Sequence, residues 1–166
     1  DTDASNAGVL TAYSALNAYL LETDEDLHLN QIGTGDGFTA FIQSSGRILN
    51  GSKDGVNVVS GATRLYAAAD IGEPENPLRT QVGFIEGYAE AGDVWIENTG
   101  HLTVGGVSEM EGISASGGVT ITASSPLTVM ESIDAPTISL TAADDADGVG
   151  QEELDDLIVK SGVTLS

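Results

Sequence analysis

The chain has 166 residues, enough for one domain with a sizeable core, and no cysteine, so disulfide staples, thiol catalysis and Cys-zinc sites are excluded. Twenty-six carboxylates face five basic residues, a formal net charge of −21. That balance argues against nucleic acid, whose phosphates need clustered Lys and Arg, and against insertion into or binding on an anionic membrane.

No apolar run approaches the ~20 residues of a membrane span. Asp1-Thr2-Asp3 open a polar segment rather than a signal peptide, as in a mature chain or one cut from something longer. Aromatic residues are scarce, with three Phe, one Trp and four Tyr. A composition carried by Gly, Ala, Val, Ser and Thr suits narrow, closely stacked strands with small residues at the turns.

Taken along the chain, the pattern is alternation at period two. Ala12 to Leu21 has Tyr13, Leu16 and Tyr19 at a spacing that a helix or two strands would explain, and its match to a later strand favours β. Leu27 and Leu29 flank His28, and Leu65 and Ala67 flank Tyr66. Between Phe38 and Ile48 two registers are open, one with Phe38, Ala40 and Ile42 inward, the other with Thr39 and Phe41 inward. Val94 and Ile96 oppose Trp95 and Glu97, and Leu102 and Val104 oppose His101 and Thr103. Leu127 and Val129 flank Thr128, Ile138, Leu140 and Ala142 alternate with Ser139 and Thr141, and Leu157 and Val159 flank Ile158. Gly-rich or acidic turns separate these runs, at 33–37, 50–55, 105–106 and 117–118. Gln151 to Leu157 is the one other candidate for a helical turn.

The chain also matches itself without a gap at a distance of about seventy-five residues. Tyr19-Leu20-Leu21-Glu22, Leu27, Leu29 and Ile32 fall on Val94-Trp95-Ile96-Glu97, Leu102, Val104 and Val107, and Leu65, Ala67 and Ala68 fall on Leu140, Ala142 and Ala143. Self-similarity at a fixed period marks a repeat architecture, in which each unit buries its apolar face against its neighbours. The expectation is one all-β domain over 1–166, a parallel β-helix (β-solenoid), with internal repeats at about 10–75 and 85–150. At roughly 20 residues per coil it would make about eight coils.

The stretch Ile71-Gly72-Glu73-Pro74-Glu75-Asn76-Pro77-Leu78-Arg79-Thr80, followed by 92–98 and 102–107, resembles the repeats of large bacterial exoproteins of the filamentous haemagglutinin type. Segments 118–123 and 138–142 are in the same style. The resemblance implies a right-handed β-helix, secretion to the bacterial cell surface and an adhesive or structural role without catalysis. It supplies no catalytic residues. The partners it implies are neighbouring repeats or copies of the same protein, and host-cell or matrix glycans. A carbohydrate-binding or carbohydrate-processing β-helix is the alternative.

Asp144, Asp145 and Asp147 before Gly148 are the candidate metal ligands, for calcium, since clustered carboxylates offer hard oxygen donors. No EF-hand spacing accompanies them, and the competing reading is a solvated acidic loop. Asp24-Glu25-Asp26 and 152–156 are weaker candidates of the same kind. His28 and His101 do not occupy equivalent repeat positions and read as outward polar residues. Arg64 and Arg79 have structural explanations, on an outward strand position and in the Asn-Pro-Leu-Arg-Thr corner. Trp95, its repeat mate Leu20, and Tyr66 are expected outside the coil, either covered by a loop or offered to a neighbour.

Overall fold

The computed structural model describes residues 8–124, 126–143 and 156–166. It is all-β: β1 (Leu10–Tyr13), β2 (Ala18–Glu22), β3 (Leu27–Gly33), β4 (Thr39–Ser44), β5 (Ile48–Asn50), β6 (Val58–Ala67), β7 (Leu78–Ala89), β8 (Val94–Asn98), β9 (Leu102–Val104), β10 (Ile113–Ala115), β11 (Gly118–Ser124), β12 (Leu127–Val129), β13 (Ile133–Asp134), β14 (Thr137–Ala143) and β15 (Leu157–Val159). Every pairing between these strands is parallel, and the strands stack as a β-solenoid of about six turns.

Each turn advances by one inter-strand spacing, about 4.8 Å, so six make a stack roughly 30 Å long. On the first face, here face A, Leu27, Ile48, Ile71, Val94, Val119 and Ile138 stack in one inward column. On face C, Leu20, Ile42, Leu65, Gly87, Ile113 and Ile133 do the same. Face B joins them through β1 on β3 and through β9, which pairs with β7 and β12. The inward columns form a single core in which Ile48, Leu65, Ile71, Ile85 and Ile121 are wholly buried. Successive members of the face A and face C columns lie 19 to 26 residues apart. Most steps exceed the expected 20 residues, and the described residues make about six turns.

The stacking unit is therefore the coil, and the seventy-five-residue match does not share its register. Leu27 stands in the column of Ile48, Ile71 and Val94, whereas Leu102 lies on face B over Leu127. The mismatch also reverses one side-chain direction. Leu20 is inward, paired with Ile42 and packed against the core, and not outside the coil as expected. Its neighbours Tyr19 and Leu21 are the outward residues. Around Phe38 the first register is adopted for Ala40 and Ile42, which are buried, while Phe38 precedes β4 and is partly exposed.

Between faces, polar side chains take over the backbone groups that bending releases. Asn57 is fully buried: its Nδ2 donates to the Leu29 carbonyl (2.7 Å) and to Asn50 Oδ1 (2.9 Å), and its Oδ1 accepts from the Arg79 amide (2.9 Å). Asn98 accepts from Thr80 Oγ1 and the Val82 amide and donates to the 99–101 carbonyls. At the corner entering face A, a carboxylate repeatedly accepts an amide from the coil above. Asp26 takes that of Arg47, Asp70 that of Asp93, and Asp93 that of Gly118. Gly72, at φ 73, lies against the Trp95 carbonyl where a Cβ would collide, so the corner at 71–78 requires glycine.

Candidate functional site: the outward ladder of face C

Outward positions on a parallel sheet also stack in columns, so one residue type per coil builds a continuous stripe. On face C one such column runs Tyr19, Phe41, Arg64, Glu86. The next runs Leu21, Gln43, Tyr66, Tyr88. The Tyr19 and Phe41 rings stack with centroids 4.8 Å apart and planes 5° from parallel, the separation of adjacent strands. Tyr66 and Tyr88 sit 5.3 Å apart with a 31° tilt, and Tyr66 Oη donates to Glu90 Oε2 (3.1 Å). That hydrogen bond to the Glu90 carboxylate holds the Tyr66 phenol above its ordinary pKa.

Tyr19, Phe41, Gln43, Arg64 and Tyr66 line a half-open cleft of about 480 Å³ toward the N-terminal end of the stack. Tyr19 is 74% exposed, which leaves the ring face turned away from Phe41 to solvent. Arg64 is half-buried between the Phe41 and Glu86 positions and makes no ion pair among the described residues. The contrast with the other arginines is sharp. Arg47 Nη2 lies 2.6 Å from Asp26 Oδ2 and its Nη1 3.2 Å from Glu73, and Arg79 Nε is 3.8 Å from Glu97.

Glu86, next above Arg64, is wholly buried although it faces outward. The excursion 105–112 between β9 and β10 lies over it. Glu86 Oε1 accepts the amides of Val107 (2.7 Å) and Ser108 (2.9 Å), and its Oε2 accepts the Ser108 hydroxyl. From the other side Glu131 accepts the amides of Gly106 (3.0 Å) and Gly112 (2.9 Å). Two carboxylates thus hold one loop by its backbone, and the loop closes the upper end of the aromatic stripe.

Tyr66 and Leu20, singled out in sequence, both border the cleft, Tyr66 on its outward side and Leu20 from the core side. Trp95 is outward as expected but lies elsewhere, half-buried on face A beside Thr120 of the next coil. His28 is half-buried and outward on face A, and His101 is exposed beside Gly83 at a face B corner. Asp144, Asp145 and Asp147 lie outside the described residues. Of the weaker acidic candidates, Asp26 serves Arg47: burial pushes its carboxyl up, and the Arg47 side-chain and backbone hydrogen bonds with its charge outweigh that, leaving it below its ordinary value. Among the described residues no three His, Cys, Asp or Glu side chains converge on a common metal position.

Sequence reasoning missed Tyr19, Phe41, Gln43 and Tyr88. Their signal was present as Tyr19, Phe41 and Arg64, and as Gln43, Tyr66 and Tyr88, at intervals of 22 or 23 residues. An offset of seventy-five residues conceals that spacing. Compared with protein-family models, curated proteins and solved structures, the chain finds no match.

Proposed function

We propose that this chain is a structural and adhesive β-solenoid module of a secreted bacterial surface protein, and that its coils extend a shaft by end-to-end stacking. The observation that carries the reading is a parallel ladder whose outermost described strands are each paired on one side. Among the described residues β1 pairs only with β3 and β2 only with β4, while β14 pairs only with β11 and β15 only with β12. Unpaired strand edges recruit further strands. At the C-terminal end two apolar column positions are exposed: Leu157 and Val159 sit where deeper members of their columns, Leu127 and Val129, are wholly buried. The exported, adhesive setting rests on the resemblance to filamentous haemagglutinin-type repeats.

The reading is non-catalytic. Asp26, Asp70, Glu86, Asp93 and Glu131 are each engaged with backbone amides, which gives these carboxylates structural roles. Negative-stain electron microscopy of the purified chain, with calcium and with chelator, tests the stacking. Filaments or end-to-end dimers support it, and dispersed short rods at high protein concentration in both conditions contradict it. The reading requires no cofactor, and a role for calcium at the acidic turns would show as filaments that depend on the ion.

A second reading, carbohydrate binding, is favoured by the aromatic stripe on face C. Stacked Tyr and Phe rings with amide and guanidinium donors beside them suit a sugar, which has apolar C–H faces and a rim of hydroxyls.

A further inference from the structure

From the cleft on face C we infer that its ligand is a glycan ending in one carboxylate-bearing sugar, with the carboxylate on Arg64 and the adjoining neutral sugar against Tyr19 and Phe41. The inference deepens the carbohydrate-binding reading and does not depend on fibre formation.

The argument begins with charge. Carboxylates outnumber basic side chains twenty-six to five. In such a chain an arginine without an acidic partner is unexpected, and Arg47 and Arg79 both have one. Arg64 has none among the described residues. The acid beside it in the ladder, Glu86, has its carboxylate oxygens taken by the 105–112 loop. Arg64 is left half-buried in the lining of the cleft, and its guanidinium is a planar fork of donors suited to a carboxylate.

Size and polarity fit the rest of the ligand. Tyr19 and Arg64 are two coils apart, about 10 Å at the inter-strand spacing, a span that two linked pyranose rings cover. Tyr19 offers a ring face at one end, Phe41 lies between, and the Gln43 amide and Tyr66 hydroxyl border the path as polar partners for sugar hydroxyls.

The net charge of −21 then narrows the class. Beyond a Debye length of roughly 8 Å at physiological ionic strength, one carboxylate on Arg64 feels little of the remaining charge. A polyanion carries further charges along the acidic surface and is repelled. The structure therefore favours a singly charged terminus over a densely sulfated or polyuronate chain.

The test is titration calorimetry on the whole chain with three probes: a trisaccharide of two neutral hexoses ending in glucuronate, the same trisaccharide with its carboxyl reduced to the alcohol, and a heparin fragment. Saturable binding of the glucuronate probe is expected, weakened about tenfold or more by R64Q, which removes a charge-assisted bidentate contact. R64K, which keeps the charge and loses the fork, should fall between, and Y19A should weaken both trisaccharides. K53Q, at an exposed turn position, should change nothing. If the reduced probe binds as tightly as the acid, carbohydrate binding stands and the acidic class is overturned. If neither trisaccharide binds, both are overturned, and tighter binding of heparin contradicts the single-terminus argument. Should R64Q not fold, the acid-against-alcohol comparison on the unaltered chain decides alone.

Discussion

The central coils and the N-terminal coil follow the same rule of alternation, and their side chains end in different environments. In the centre, Leu65 between Ile42 and Gly87, or Ile71 between Ile48 and Val94, is covered by a coil on each side and is wholly buried. In the first coil, Leu20 has a strand neighbour on one side only among the described residues and is half-buried, and Tyr13, Leu16, Tyr19 and Leu21 are all more than 60% exposed. A solenoid thus gives one sequence pattern a stability that depends on position along the stack, and its end coil displays apolar and aromatic groups that a central coil would cover.

The sharpest way to break this comparison is to truncate equivalent inward residues in the two regions. Ile71→Ala should cost about 2–5 kcal/mol, the range for a large aliphatic removed from a packed core. Leu20→Ala should cost under about 1.5 kcal/mol, because the end of the stack can relax around it. Urea unfolding curves of the two variants measure the difference, and equal losses would refute a graded stack.

The next effect falls on a polar group of the central coils. Asn57→Ala removes the side-chain acceptor of the Arg79 amide and one of two donors to the Leu29 carbonyl, which keeps the Gly51 amide, and should destabilise by about 1–3 kcal/mol. Asn30, which donates to Thr11 Oγ1 near the end coil, should tolerate alanine with a loss below about 1 kcal/mol. Thermal melts of the pair check both.

Glu86→Ala should free the 105–112 loop at a cost of about 1–2 kcal/mol, since the Val107 and Ser108 amides lose their acceptor. Hydrogen exchange at those two amides should accelerate while that at Leu65 is unchanged. Glu86→Gln, which retains an acceptor oxygen, should restore part of the protection.

How much of this was legible in the sequence depends on the same contrast. Val94 and Ile96 against Trp95 and Glu97 fixed an inward and an outward face unaided, because burial in the middle of the stack leaves the outward side polar or half-covered. Tyr19-Leu20-Leu21 is apolar on both sides, so alternation alone could not say which side was inward. The seventy-five-residue match assigned it wrongly, placing Leu20 beside Trp95. Glu86 reads in sequence as one more solvated acid on a strand. Only a loop returning from twenty residues later buries it, a tertiary event that a periodic pattern does not record. The corner acids were recoverable, since Asp26-Leu27, Asp70-Ile71 and Asp93-Val94 each place an aspartate just before a face A core residue.

The smallest predicted effect concerns acid. The Asp26 carboxyl is depressed in the fold, so its pairing with Arg47 contributes fully above the unfolded value near 3.8. The contribution is lost as pH falls through the lower, folded value. Arg47 is 37% exposed, so solvent screening keeps the effect below about 1 kcal/mol. Asp26→Asn should therefore lower stability at pH 7 and flatten its loss as pH falls below about 3.8, measured by denaturant midpoints across acid pH.

The most direct test of the account is cross-linking of paired cysteines, for which a chain without native cysteine gives a clean background. Gln43 and Tyr66 are register partners on face C, and Thr122 and Thr141 on face A, each pair one coil apart. Leu20 and Trp95 are partners only in the seventy-five-residue match. Stacked parallel coils predict rapid intramolecular cross-linking of the double variants Q43C/Y66C and T122C/T141C by a short bifunctional thiol reagent, and none for L20C/W95C. Cross-linking of the last pair, or failure of the first two in folded protein, would contradict the solenoid register on which every conclusion above depends.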